Sequence, residues 1–253
     1  MSDLSFSILG DGDREPFVWA HGLTSSRANE DTGGLFDWTP VVDGGRRVVR
    51  YDARGHGQTG GPPDPAAYRW PQLAADLLAL LDDLGIERTS AGGASMGCAT
   101  LLHAAWRAPE RFDRLVLVIP PTAWATRADQ ADQYEGSARY VEAEGKAAWM
   151  TVAGEAPRPA IFADLPPFPF TADIPEDLLP SVLRGAATSD LPPASAVAAI
   201  AQPTLVLAWS GDPGHPESTA QRLAELLPDA DLHVATHIGE VLGWPAQVAS
   251  FLG

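Results

Sequence analysis

Four short apolar runs, Phe17-Val-Trp-Ala20, Val48-Val-Arg-Tyr51, Leu115-Val-Leu-Val-Ile119 and Thr204-Leu-Val-Leu-Ala-Trp209, are separated by longer stretches of helical spacing. This alternation constrains the fold more than any other feature. Runs of four to six apolar residues are short for helices and read as buried strands. Between the second and third, residues 72–84 repeat leucine and alanine at helical spacing, and Gly85 follows where a C-terminal cap is expected. Strand, helix, strand is the pattern of a parallel sheet covered on both faces, so the chain is expected to be α/β and doubly wound.

After Ile119 the alternation stops. Residues 120–202 carry a helical stretch at 127–150 and a proline-rich tract at 157–193, with no strand-like run. A structureless loop of that length inside a compact domain is uncommon, so an inserted helical lid, or cap, is expected there. The core would then be residues 1–119 and 203–253, with one more helix at 218–227, a short strand at 232–235 and a final helix at 240–252.

Charge narrows the partners. Thirty-three acidic side chains against 17 Lys and Arg give a formal charge of −16, which disfavours nucleic acid and anionic membranes, since both need clustered basic groups. The single cysteine, Cys98, excludes an internal disulfide and a multi-cysteine zinc site. With no H-E-x-x-H, cysteine cluster or phosphate loop, neither a metal nor an organic cofactor is expected. The first residues lack a basic region followed by an apolar one, and no run of about 18 apolar residues occurs, so a cytoplasmic location is expected. Oligomeric state has no signature in the sequence.

Chemistry centres on Gly93-Ala-Ser-Met-Gly97, which fits G-x-S-x-G. In that pattern a serine sits on a sharp strand-to-helix turn, flanked by glycines because a Cβ there would collide with its surroundings. The following residues, 96–106, have helical character, which would leave the Met96 amide free at a helix N-terminus. The preceding Glu87-Arg-Thr-Ser-Ala91 has almost no branched apolar residues, and only the order of elements makes it a strand.

A serine needs a base, and the base needs an acid to fix its tautomer. Among six histidines, His237 follows the last strand and precedes the final helix, at the edge of a parallel sheet where ligands collect. It is the expected base. Asp212, just past the strand that ends at Trp209, is the expected acid, whereas His215 in the same loop reads as a turn or surface residue. His237 sits in Thr-His-Ile-Gly rather than the commoner Gly-His.

Taken in order, His21-Gly-Leu-Thr24, Asp52-Ala-Arg-Gly-His-Gly57, Gly93 to Gly97, Pro203-Thr-Leu-Val-Leu with Asp212-Pro, and His237 before a terminal helix resemble the motifs of the α/β-hydrolases. The stretch from Arg47 to Gly57 is similar to the enol-lactonase and small esterase branches. The resemblance implies an α/β-hydrolase fold, a mostly parallel sheet with a helical lid inserted between strands 6 and 7. It also implies a hydrolase cleaving a small-molecule carboxylic ester or lactone through an acyl-enzyme. Ser95, Asp212 and His237 would form the triad, and the backbone N–H groups of Leu23 and Met96 the oxyanion hole. Serine as nucleophile argues against haloalkane dehalogenases and epoxide hydrolases, which share the fold but use aspartate. A cofactor-free perhydrolase, a carbon-carbon bond hydrolase using the same triad, and a hydrolase-like receptor remain alternatives. The aromatic residues Trp124, Trp149, Phe162, Phe168 and Phe170 could line the substrate pocket or form the lid's own core.

Overall fold

The computed structural model describes residues 3–33, 36–156, 158–163, 165 and 170–253. Seven strands, β1 (Phe6–Leu9), β2 (Arg14–Ala20), β3 (Arg46–Tyr51), β4 (Thr89–Ala94), β5 (Phe112–Val118), β6 (Thr204–Trp209) and β7 (Ala230–Ala235), form one sheet among the described residues. Their spatial order is β1-β3-β2-β4-β5-β6-β7. β1 is antiparallel to β3 and every other pairing is parallel. The helices are α1 (Arg27–Gly33), α2 (Thr39–Asp43), α3 (Trp70–Asp83), α4 (Met96–Arg107), α5 (Arg127–Glu144), α6 (Lys146–Gly154), α7 (Leu179–Ala187), α8 (Ala194–Val197), α9 (Glu217–Leu226), α10 (Ile238–Leu242) and α11 (Trp244–Leu252).

Side chains alternate across the sheet, as the two-residue strand period requires. Val18, Val49, Ala91, Leu117 and Val206 pack with α3, α4 and α9 on one face, while Phe17, Trp19, Val116, Leu207 and Trp209 pack with α2 and α11 on the other. Both faces are buried, which is why these strands are nearly continuous apolar runs.

β4 is the exception in composition. It is central, between β2 and β5, and its residues 89–93 are buried although they read Thr-Ser-Ala-Gly-Gly. The reason lies next door: a Cβ on Gly92 would come within 2.5 Å of the Phe17 ring and 2.9 Å of Trp19. Large rings on β2 already fill the space that β4 side chains would need.

Residues 120–202 leave the sheet between β5 and β6, the fifth and sixth of seven strands, and contribute α5 to α8. The expected place for the insertion is between strands 6 and 7; this sheet has one strand fewer before it than that numbering presumes. The helical stretch at 127–150 divides at Gly145, whose φ of +85° ends α5 and starts α6. The proline-rich tract holds a helix after all: α7 takes Pro180 in its first turn, where a missing N–H costs nothing. Arg127 braces the segment internally, donating to the Ser189 and Ala186 carbonyls at 2.7 and 2.5 Å, and meets the core with its guanidinium 4.3 Å over the Trp70 ring. The expected single helix at 240–252 is two, α10 and α11, parted at Gly243 with Pro245 starting the second. No helix among the described residues is long and apolar enough to cross a membrane.

Candidate active site

The serine turn is built as its glycines require. Ser95 lies between β4 and α4 with φ 51° and ψ −109°, a strained conformation of the kind held at functional sites at a cost of about 1–3 kcal/mol. A Cβ on Gly97 would meet the Ala20 carbonyl oxygen at 2.1 Å, and one on Gly93 would meet the Gly97 backbone at 2.5 Å. Strand and helix thus approach closely enough to lift Ser95 out of the turn. Its own amide donates to the Val118 carbonyl at 3.0 Å, and the Cys98 amide donates to the Ser95 carbonyl at 2.9 Å. Cys98 itself is fully buried, its thiol against the Gly93 and Val118 carbonyls, and burial pushes its pKa up.

The loop after β6 supplies the partners. Gly211 takes φ +77°, and the Gly214 amide donates to Asp212 Oδ1 at 2.9 Å, folding the chain back on itself. His215 follows this turn. Its Nδ1 lies 2.9 Å from Asp212 Oδ2 and its Nε2 lies 2.8 Å from Ser95 Oγ. An ionised carboxylate only accepts, so the imidazole proton sits on Nδ1 and Nε2 is free to accept from the serine hydroxyl. Burial would raise Asp212, but the hydrogen bond and charge of His215, the Trp209 indole and the Gly214 amide together hold it down at about 2. Trp209 Nε1 donates to Asp212 Oδ2 at 2.9 Å, so one carboxylate oxygen serves both the indole and the imidazole. The Trp209 ring is itself clamped, stacked on Trp244 at 5.7 Å and 9° and met edge-on by Phe162 at 4.8 Å.

His237 does not join this group. It is the residue before α10, its side chain is 67% exposed, and its Nε2 faces Glu240 at 3.7 Å. The residue placed on Ser95 is therefore His215, and the expectation for His237 is corrected on geometry. Ser95 and Asp212 are linked through the His215 ring.

Met96 follows Ser95 in the chain, and Leu23 lines the same cavity as Ser95. Neither backbone N–H has a hydrogen-bond partner among the described residues, Met96 being the first residue of α4. The turn carrying Leu23 is pinned from three sides. His21 Nδ1–H donates to the Gly22 carbonyl at 2.8 Å, and its Nε2 accepts from the Ala53 amide at 2.9 Å. The Ser26 hydroxyl donates to Asp173 of the inserted segment at 2.6 Å, and the Asp173 amide donates to the Thr24 carbonyl at 2.8 Å. Asp52, at the end of β3, accepts from the Arg27 and Gln58 amides and pairs with the Arg27 guanidinium at 3.0 Å, which gives this acidic residue a structural occupation.

A cavity of about 280 Å³ opens at Ser95 and His215. Its walls include Trp19, Phe36, Ile119, Trp209, Val241 and Trp244, all from the sheet and its flanking segments. Of the aromatic residues expected to line it, Trp124, Trp149, Phe162 and Phe170 do not, and Phe168 lies outside the described residues. Trp149 and Phe170 pack on each other at 5.4 Å, and Trp149 lies in a cluster that the inserted segment forms with Tyr68. Trp124 is turned away, its indole donating to the Pro192 carbonyl at 3.1 Å. Phe162 packs behind the site, its ring edge-on to Trp209 at 4.8 Å.

Set against known proteins, residues 15–140 match the family model of the alpha/beta hydrolase fold. The chain belongs to that family. This α/β-hydrolase is 28% identical over 253 residues to 3-oxoadipate enol-lactonase 2 of Acinetobacter baylyi, covering 94% of this chain and 87% of that one. It is 29% identical over 254 residues to a putative carbamate hydrolase, RutD, of Variovorax paradoxus, covering 93% and 88%. Among solved structures, a hydrolase from Pseudomonas aeruginosa superposes with a TM-score of 0.82 at 24% identity, covering 99% of this chain and 94% of that one. The enol-lactonase of Burkholderia xenovorans superposes with a TM-score of 0.81 at 24% identity, covering 98% and 96%.

In this α/β-hydrolase, sequence reasoning misses His215 because family order puts the base after the last strand. The signal is present in Asp212-Pro-Gly-His215: a glycine in an Asp-Pro turn bends the chain so that a residue three places on returns to the carboxylate.

Proposed function

We propose that the chain is a serine hydrolase cleaving a carboxylic ester or lactone, with Ser95 as nucleophile, His215 as base and Asp212 as the acid that orients it. The observation that carries this reading is the unbroken relay from Ser95 Oγ to His215 Nε2 at 2.8 Å and from His215 Nδ1 to Asp212 Oδ2 at 2.9 Å. Ser95 Oγ attacks the carbonyl carbon as its proton passes to Nε2. The C–O bond to the leaving oxygen then breaks, and Nε2 hands the proton to that oxygen. Water repeats the sequence on the acyl-enzyme, with His215 again as base. In a lactone the leaving alcohol stays tethered to the acyl group.

The Leu23 and Met96 amides would hold the oxyanion, each such donor contributing about 2.7–4 kcal/mol to the transition state. Residues 120–202 would act as a cap that braces the oxyanion turn through Asp173. The enol-lactonase and the putative carbamate hydrolase both carry names of acyl transfer to water, in keeping with this chemistry. A hydrolase-like receptor is expected to have a broken relay, and the one at Ser95 is continuous.

The test is a panel of p-nitrophenyl esters and lactones, with a peracid assay alongside, run on the wild type and on Ser95→Ala. Hydrolysis should fall by at least about 10³-fold in the variant. Full hydrolysis by Ser95→Ala would remove the nucleophile, and a dominant peracid activity would favour the perhydrolase alternative.

A further inference from the structure

The cavity at Ser95 has an uneven chemistry. Trp19, Phe36, Trp209 and Trp244 give it flat aromatic walls, and no lysine or arginine lines it among the described residues. Among the described residues, its one acidic lining residue is Glu30 of α1. Because His215 sits in the loop after β6, the segment after β7 is free to form wall, and Val241 and Trp244 do so.

Glu30 is an odd residue for such a place. Its side chain is 16% exposed, and both carboxyl oxygens are met by the single Trp19 indole N–H, at 2.9 and 3.0 Å. The other donor, Arg50 Nη2, stands at 3.4 Å and is shared with the Arg27 carbonyl at 2.8 Å, while Arg50 Nη1 is committed to Asp31 at 2.5 Å. A carboxylate offers about four acceptor sites, so Glu30 keeps capacity for a further donor. Burial raises its pKa to about 7 against the lowering effect of Trp19 and Arg50. A buried carboxyl in a mainly apolar cavity, whose other polar lining residues are the uncharged Ser25 and Asn29 beside Ser95 and His215, favours a ligand that brings a donor and penalises one that brings a negative charge.

We propose that this cavity selects an ester or lactone with a flat, apolar aromatic or conjugated body bearing a hydroxyl or ammonium group that docks on Glu30, and that it discriminates against carboxylate-bearing substrates. The assignment rests on the reading of Ser95 as nucleophile and names the substrate class of that site. Glu30 acts as a specificity-determining residue, with Trp19 holding its carboxyl at the cavity wall.

The experiment uses three matched substrates in meta and para forms: methyl esters of hydroxymethyl-, aminomethyl- and carboxy-substituted benzoic acid. The ratio of kcat/KM between them is measured on the wild type and on Glu30→Gln. The wild type should prefer the hydroxymethyl and aminomethyl esters over the carboxy ester by at least about tenfold, and the aminomethyl-to-carboxy ratio should shrink by about tenfold in Glu30→Gln. A wild-type ratio near one overturns the proposal, and so does a ratio that Glu30→Gln leaves unchanged. The wild-type ranking tests it alone if the variant folds poorly.

Calorimetric binding of the same esters to Ser95→Ala separates this proposal from the one it rests on. Should no ester be turned over while the binding preference persists, the substrate class stands and the nucleophile assignment falls. Ser95-dependent turnover without any preference would instead keep the nucleophile and overturn the substrate class.

Discussion

The turn after β6 and the turn after β7 each carry a histidine at the carboxyl edge of the sheet, and they aim it differently. In the first, Gly211 at φ +77° and the Gly214 amide on Asp212 Oδ1 fold the chain so that His215 bridges acid and serine. In the second, the Thr236 amide and hydroxyl are taken up by Glu240 Oε2 at 2.7 and 3.2 Å, and the His237 ring is left in solvent. A histidine's place in the order of strands brings it to the right edge of the sheet. What brings it to the serine is local: one glycine dihedral and one side-chain-to-backbone hydrogen bond.

The largest effect expected from breaking the first turn is that of Asp212→Asn. It leaves a neutral partner that no longer fixes the imidazole tautomer, and kcat should fall by about 10⁴-fold in an ester assay. The same variant carries a pH signature. Asp212 is held at about 2 in the folded protein against an ordinary 3.8, so its ionised form stabilises the fold above pH 3.8 and that contribution is lost as pH falls toward 2. Urea denaturation should show the gap between wild type and Asp212→Asn full near pH 5 and narrowing below 4; a gap independent of pH would count against the ionised relay.

A smaller effect is expected from Trp209→Phe, which keeps a ring in the clamp but removes the indole donor from Asp212 Oδ2. A hydrogen bond to a charged group is worth about 1.5–3 kcal/mol, so kcat should drop by about 10- to 100-fold. Unchanged kcat would mean that His215 and Gly214 hold the acid without help. Smallest of all is Glu240→Ala in the second turn. It should lower Tm slightly and leave kcat within about twofold of wild type, since side chains away from the reacting groups make no transition-state contact. A large loss of kcat there would restore the turn after β7 to the mechanism.

These outcomes bear on how much a sequence can declare. Ser95 is legible because its turn excludes Cβ atoms at both Gly93 and Gly97, and close approach leaves its trace as glycine. The alternating core is legible for the same kind of reason: burial on both faces writes itself as Val, Leu and Ile. β4 is not legible by propensity, because its small residues answer to Phe17 and Trp19 on the neighbouring strand, far away in sequence. The cavity wall is not legible either. Trp19, Phe36, Trp209 and Trp244 come from four separate segments, whereas Trp124, Trp149, Phe162 and Phe170 of the insertion suggest a lining they do not form. His215 falls between these cases, with its turn chemistry visible but its aim set by a dihedral that sequence order does not report.

The two turns can be set against each other most directly by measuring kcat/KM for one activated ester on His215→Ala and His237→Ala, with circular dichroism to confirm that both fold. The relay at Ser95 predicts a loss of at least about 10³-fold for His215→Ala and a change within about twofold for His237→Ala. The reverse ranking, with His237→Ala inactive and His215→Ala active, would contradict it.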